Sequence, residues 1–176
     1  WTAPGDKVHV GVTFYDQSDT FLSELINCFR EQMDSLQKEG LDIVLTVRGA
    51  SGSQQTQDDQ VQELINAGCN VLCVNLVDRT DAATIIDKGK SADVPIVFFN
   101  REPVSADLER WDRIYYVGTD AAEGGKLQGE IFLDYYEKHR ETVDKNKDGV
   151  IQYVLLEGEP AHQDAAIRTE SCIKRI

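Results

Sequence analysis

The sequence predicts an α/β fold, a parallel sheet covered by helices on both faces. Three observations carry this. Short apolar, β-branched runs alternate with longer segments whose apolar residues recur every three to four positions. The apolar runs are nearly continuous, as strands buried on both faces must be. Gly40 and Gly68 each stop a helical segment just before the next run.

The elements follow in order. Val8 to Phe14 is β-rich and mostly apolar and reads as the first strand. Asp16 to Thr20 is polar, and Asp19 or Thr20 can cap the next helix. In that helix Phe21, Leu22, Leu25, Ile26, Phe29, Met33 and Leu36 share one face. Leu41 to Val47 is a second strand, and Gly49 to Ser53 opens a second helix through Val61, Leu64 and Ile65. Asn70 to Leu76 is a third strand, Asp81 to Lys90 a short helix and Pro95 to Phe99 a fourth strand. After the polar connection Arg101 to Asp112, the fifth strand is Arg113 to Val117. Asp120 and Glu123 form a D-x-x-E capping pair for a long helix through Leu127, Ile131, Phe132 and Tyr135. Val150 to Leu156 reads as a sixth strand, and a last helix starts near His162.

Composition narrows the function classes. With 176 residues the chain is long for one domain and short for two, and 41% hydrophobic residues can build a real core. A formal charge of -13 argues against nucleic acid, whose binding needs clustered Lys and Arg to displace counterions. No apolar run approaches the ~20 residues of a membrane-spanning helix. The polar lead-in Trp1 to Lys7 has neither the basic start nor the apolar stretch of a signal peptide. Cys28, Cys69, Cys73 and Cys172 show no zinc spacing with His9, His139 or His162, and buried free thiols are expected of them.

Enzyme motifs fare poorly. Gly49-x-x-Gly52 is not a phosphate loop, and neither G-x-G-x-x-G nor G-x-S-x-G occurs. His162 and Asp164 lack a nucleophile placed for a triad. Glu157 and Glu159 would share one strand end with nothing facing them.

In open parallel sheets, ligands sit beyond the carboxyl ends of the strands. That rule selects Asp16 to Phe21, Gly49 to Gln54, Asn75 to Arg79, Asn100 to Glu102 and Glu157 to Arg168, and within them Asp19, Phe21, Asn100, His162, Asp164 and Arg168 are the candidates. Carboxylates, an amide and a guanidinium hold hydroxyls in fixed geometry, and a phenyl ring packs on the apolar face of a sugar. The plain alternatives are a helix cap for Asp19, a core position for Phe21 and a surface pair for Asp164 with Arg168.

Asp144 to Gln152 carries a second candidate site. Asp144, Asn146 and Asp148 alternate as in an EF-hand calcium loop, Gly149 permits the turn, and Val150 can supply its carbonyl. The twelfth position, where the EF-hand has a bidentate Glu, is Leu155. Gln152 is then expected to give a further oxygen, with the closing carboxylate coming from elsewhere. The alternative is an ordinary Asp/Asn/Gly turn.

Several stretches together resemble a known family. They are Val10 to Tyr15 with Asp19 to Phe21, Asn75 to Asp78, Val94 to Pro103, Tyr115 to Asp120, and Leu155 to Pro160 with His162, Asp164 and Arg168. Read together they resemble the galactose/glucose-binding members of the periplasmic type I sugar-binding proteins. Such proteins serve ABC transporters and chemotaxis. The resemblance implies a hexose hydrogen-bonded by Asp19, Asn100, His162, Asp164 and Arg168, with Phe21 stacked on one face. It implies calcium held by Asp144, Asn146, Asp148, the Val150 carbonyl and Gln152, with a Glu from later in such chains. It implies an N-terminal lobe over 1–118 and the beginning of a second lobe over 119–176. A membrane permease, a chemoreceptor and an extracytoplasmic location, periplasmic or lipid-anchored, are also implied. The sensor core of a sugar-responsive transcription regulator shares the fold, but normally carries a helix-turn-helix where only Trp1 to Lys7 precede the first strand.

Overall fold

The computed structural model describes residues 7–158 and 162–176. Trp1 to Asp6 of the lead-in, Glu159, and Pro160 of the 155–168 motif lie outside the described residues. The chain divides into two compact units, Trp1–Gly118 and Thr119–Ile176.

In the first unit β1 (Val8–Phe14), β2 (Ile43–Gly49), β3 (Val71–Val74), β4 (Ile96–Phe99) and β5 (Ile114–Val117) form one sheet. All neighbours are parallel and the order is β2-β1-β3-β4-β5. The connections contain α1 (Thr20–Lys38), α2 (Gln54–Asn66), α3 (Ala83–Ala92) and the single turn α4 (Ser105–Leu108). Because side chains alternate along each strand, the sheet has two apolar faces. Leu72, Val74, Ile96 and Phe98 pack with Val61 and Leu64 of α2 and Ile85 and Ile86 of α3. Val10, Val12, Phe14, Cys73 and Phe99 pack with Leu22 and Ile26 of α1 on the other. Burial pushes the Cys73 thiol up to about 12, so it serves as a small hydrophobe.

Local chemistry explains the element ends. Asp19 caps α1 by accepting from Leu22 N–H at 2.8 Å, and Ser53 caps α2 through Thr56 N–H. The third helix starts at Ala83 and not at Asp81, because Asp78 accepts from both the N–H and the hydroxyl of Thr80 and holds that stretch as a turn. Cys28 corrects a second expectation: its thiol is free but exposed, on the solvent side of α1.

The second unit contains α5 (Ala121–Lys138), the short α6 (Arg140–Val143) and α7 (Gln163–Arg175). Asp120 caps α5 through Glu123 N–H, while the Glu123 carboxylate lies toward Lys126 rather than reaching back. Helices α5 and α7 approach closely at Gly125 and Gly129. A Cβ on Gly125 would overlap the carbonyl of Arg168, and one on Gly129 would come within 2.7 Å of Arg175 Cβ.

The expected sixth strand is absent. Residues 150–156 have no ladder partner among the described residues, and a strand exists only through its hydrogen bonds to a neighbour. Tyr153 packs against Phe132 of α5 with ring centroids 5.5 Å apart, but Val154 and Leu156 are 86% and 91% exposed.

Candidate functional site

The strand order reverses between β1 and β3, since β1 leads outward to β2 and the chain then returns to β3 on its other side. A crevice opens beyond the carboxyl ends of strands at such a point. The residues following β1, β3 and β4 meet there in a hydrogen-bonded network.

Tyr15, one residue past β1, donates its hydroxyl to Asp19 Oδ2 at 2.6 Å and its N–H to Asn75 Oδ1 at 3.3 Å. Asn75, one residue past β3, is fully buried, and its Nδ2 donates to the Phe99 carbonyl at 3.2 Å and to Asn100 Oδ1 at 3.0 Å. Asn100 therefore joins the network at the end of β4. Its backbone is left-handed, with φ 63°, a conformation that Asn tolerates better than most residues. Three bonds hold it there: Asn75 on the side chain, its N–H to Val117 O at 3.0 Å, and its carbonyl accepting from the Tyr116 hydroxyl at 3.2 Å. The Tyr116 ring passes where a Cβ on residue 118 would stand, so only Gly118 fits.

Arg101 closes the same end of the sheet. Its guanidinium stacks over the Tyr15 ring, with Cζ 3.8 Å from the centroid, and donates to the Val77 carbonyl at 2.9 Å. Behind the network lies the fully buried Gln57, donating to the Asn75 carbonyl at 2.8 Å and accepting from Val77 N–H at 2.9 Å. The Tyr15 hydroxyl, the Leu22 and Phe21 amides and, last, the Arg101 charge hold the Asp19 carboxyl below its ordinary range, so it is an anionic acceptor at neutral pH.

Of the residues selected from sequence, Asp19 and Asn100 thus share one end of the sheet and are linked through Tyr15 and Asn75. Asp19 is a cap as well as a member of this network. Phe21 is in the first turn of α1 and 62% exposed, outside the core. His162, Asp164 and Arg168 lie in the second unit, at the cap and in the first two turns of α7. No ion pair joins Asp164 to Arg168 among the described residues, and Arg168 Nε lies 3.5 Å from where a Cβ on Gly124 would be.

Sequence reasoning passed over Gln57 and did not single out Tyr15 or Arg101. Gln57 had a legible signal: it stands one turn before Val61, at an apolar position of the α2 pattern. Arg101 had only its place directly after Asn100.

In the second unit the Asp144–Gln152 loop is exposed, with Lys147 and Gly149 at positive φ. Gly149 N–H donates to Asp144 Oδ2 at 2.9 Å, and Val150 N–H to Asp148 Oδ1 at 2.8 Å. Two amide nitrogens, of Asn146 at 2.7 Å and Gln152 at 3.5 Å, are drawn to the other oxygen of Asp148. Asn146 and Gln152 thus converge on Asp148, and turning either amide would replace a nitrogen with an oxygen. Carboxylate and amide oxygens are the donor types a hard cation takes, but among the described residues no group of three or more His, Cys, Asp or Glu is gathered to hold one.

Comparison with known proteins places this architecture. The family model described as "Periplasmic binding protein domain" matches residues 10–176. The chain belongs to the periplasmic binding protein family. These are proteins that bind solutes and not enzymes. The D-galactose/methyl-galactoside binding periplasmic protein of Haemophilus influenzae is 40% identical over 95% of this chain and 49% of its own length. Two solved structures share the fold. A galactofuranose binding protein superposes with a TM-score of 0.74 at 17% identity, covering 96% of this chain and 51% of that one. An ABC transporter solute binding protein from Clostridium phytofermentans with bound β-D-glucose gives 0.70 at 19%, covering 95% and 47%. The chain spans about half the length of the Haemophilus relative.

Proposed function

We propose that this chain is part of a sugar-binding protein that delivers a hexose, glucose or galactose, to an ABC transporter. The observation that carries the reading is the polar network at the switch point, which links an anionic acceptor, Asp19, to a clamped amide, Asn100, with exposed Phe21 two residues after Asp19. The 40% identity to a galactose-binding relative favours a hexose over other polyols. Asp19 and Asn100 hydrogen-bond the hydroxyls, and Phe21 packs on the apolar face of the ring. In the second unit, His162, Asp164 and Arg168 are the groups assigned to the same class of ligand. The working location is extracytoplasmic, with a membrane permease as partner and a chemoreceptor as a further one.

Calcium belongs to the same proposal. Asp144, Asn146 and Asp148 would hold it with the Val150 carbonyl and Gln152, and its role is to stiffen the loop. No chemistry at the sugar depends on it.

Calorimetry on the intact protein with D-glucose, D-galactose and D-ribose tests the reading. A hexose bound more tightly than ribose is expected, with Asn100→Ala costing about 1–3 kcal/mol of that affinity. Binding of neither hexose would sink the proposal. In the same cell, calcium should bind the unaltered protein and not Asp144→Ala; equal binding by both would return the loop to being a turn.

A further inference from the structure

Building on the hexose reading, we infer that Asn75 is a positioning residue that turns the Asn100 amide so that its NH2 group, and not its oxygen, meets the ligand. The polarity follows from groups that cannot change roles. The Tyr15 N–H only donates, so the Asn75 atom 3.3 Å from it is the oxygen. The other end of the Asn75 amide is then its NH2, and it faces the Phe99 carbonyl, which only accepts. That same NH2 lies 3.0 Å from Asn100, so Asn100 presents its oxygen there and its own NH2 is directed away.

Asn75 cannot turn to relax this order. Its N–H donates to the Thr13 carbonyl at 2.9 Å, and its carbonyl accepts from Gln57 Nε2 at 2.8 Å. Gln57 is itself fixed in polarity, because its oxygen accepts from the Val77 N–H. Both Gln57 and Asn75 are fully buried, so water does not compete for these bonds. Only at half-buried Asn100 does the chain of fixed donors reach solvent, and among the described residues nothing accepts from its Nδ2.

The consequence is a rule for the ligand. At Asn100 it must present an oxygen lone pair, from a hydroxyl whose hydrogen is directed elsewhere or from a ring oxygen. At Asp19, an acceptor only, it must present a hydroxyl hydrogen. Donor and acceptor are thus assigned before any sugar arrives, and Asn75 sets the first of them.

A double-mutant cycle on the intact protein, read by calorimetry with D-galactose and D-glucose, tests this. Asn75→Ala and Asn100→Ala should each weaken binding by about tenfold to a hundredfold, and the double variant should be no weaker than Asn100→Ala alone. Melting temperature is followed in parallel, since a purely structural role for Asn75 would lower it without coupling the two affinities. Asn100→Asp covers the case of an unfolded Asn75→Ala. It keeps an oxygen toward Asn75 and replaces the donating NH2 with a charged acceptor oxygen, so it should lose at least as much affinity as Asn100→Ala. Losses that multiply in the double variant, or an Asn100→Asp protein with unaltered affinity, overturn the inference while leaving the hexose reading in place. An unaltered protein that binds neither sugar overturns the hexose reading, and this one with it.

Discussion

Val71–Val74 and residues 150–156 are both short apolar runs preceded by a polar turn, yet only the first is a strand. Val71–Val74 lies between β1 and β4, bonded on both sides, with Leu72 and Val74 fully buried. Residues 150–156 pack one ring on α5 and leave Val154 and Leu156 in solvent. The difference teaches that β-propensity names a candidate and a neighbouring edge makes the strand. It also separates two ways of holding a unit together. The first unit relies on a sheet with two buried faces, and the second on the close approach of α5 and α7.

The widest gap between the two runs should appear on truncation of a large side chain in each region. Leu72→Ala, fully buried in β3, should cost about 2–5 kcal/mol in denaturant unfolding, while Leu156→Ala should stay within about 0.5 kcal/mol. A comparable loss at Leu156 would mean that 150–156 is buried in solution, and the contrast would collapse.

Neighbouring glycines on α5 probe the second way of holding a unit. Gly125→Ala forces a methyl against the Arg168 carbonyl and should destabilise by about 1–3 kcal/mol. Gly124→Ala meets only Arg168 Nε at 3.5 Å and should stabilise by about 0.5–1 kcal/mol through helix propensity. Thermal melts of the two variants moving in the same direction would remove the close α5–α7 approach as the cause.

The smallest effect concerns acid. The Asp19 carboxyl is lowered by Tyr15 and Leu22, so the folded state favours its ionised form. Its contribution is present above the ordinary carboxylate range, near pH 4, and is lost as pH falls through the folded value. Asp16 and Asp78 are lowered too, by the serine and threonine two residues on. Asp19→Asn should therefore reduce the drop in unfolding midpoint between pH 7 and pH 3 without abolishing it. An unchanged pH dependence would show that Asp19 does not respond to its partners.

Five strands and the main helices were legible because buried strands and amphipathic helices write their periods directly into the chain. Asp19 and Asn100 were legible by position, each just after a strand. Tyr15, Gln57 and Arg101 were not, because their role lies in bonds to residues 4 to 60 positions away. A sequence period does not report such partners. The sixth strand failed for the same reason: its apolar run was real, and its partner was not among the described residues.

The three bonds on Asn100 have an entropic consequence. An amide side chain on a flexible loop must be frozen when it grips a ligand, at a cost of about 0.5–1.5 kcal/mol. Here Tyr116 and Val117 fix the backbone of residue 100 and Asn75 holds its amide, so part of that ordering is done during folding. On the proposed hexose reading, a hydroxyl arriving at Asn100 would meet a donor whose direction is already set, and a stereoisomer with that hydroxyl on the other face would find nothing there that can turn to follow it.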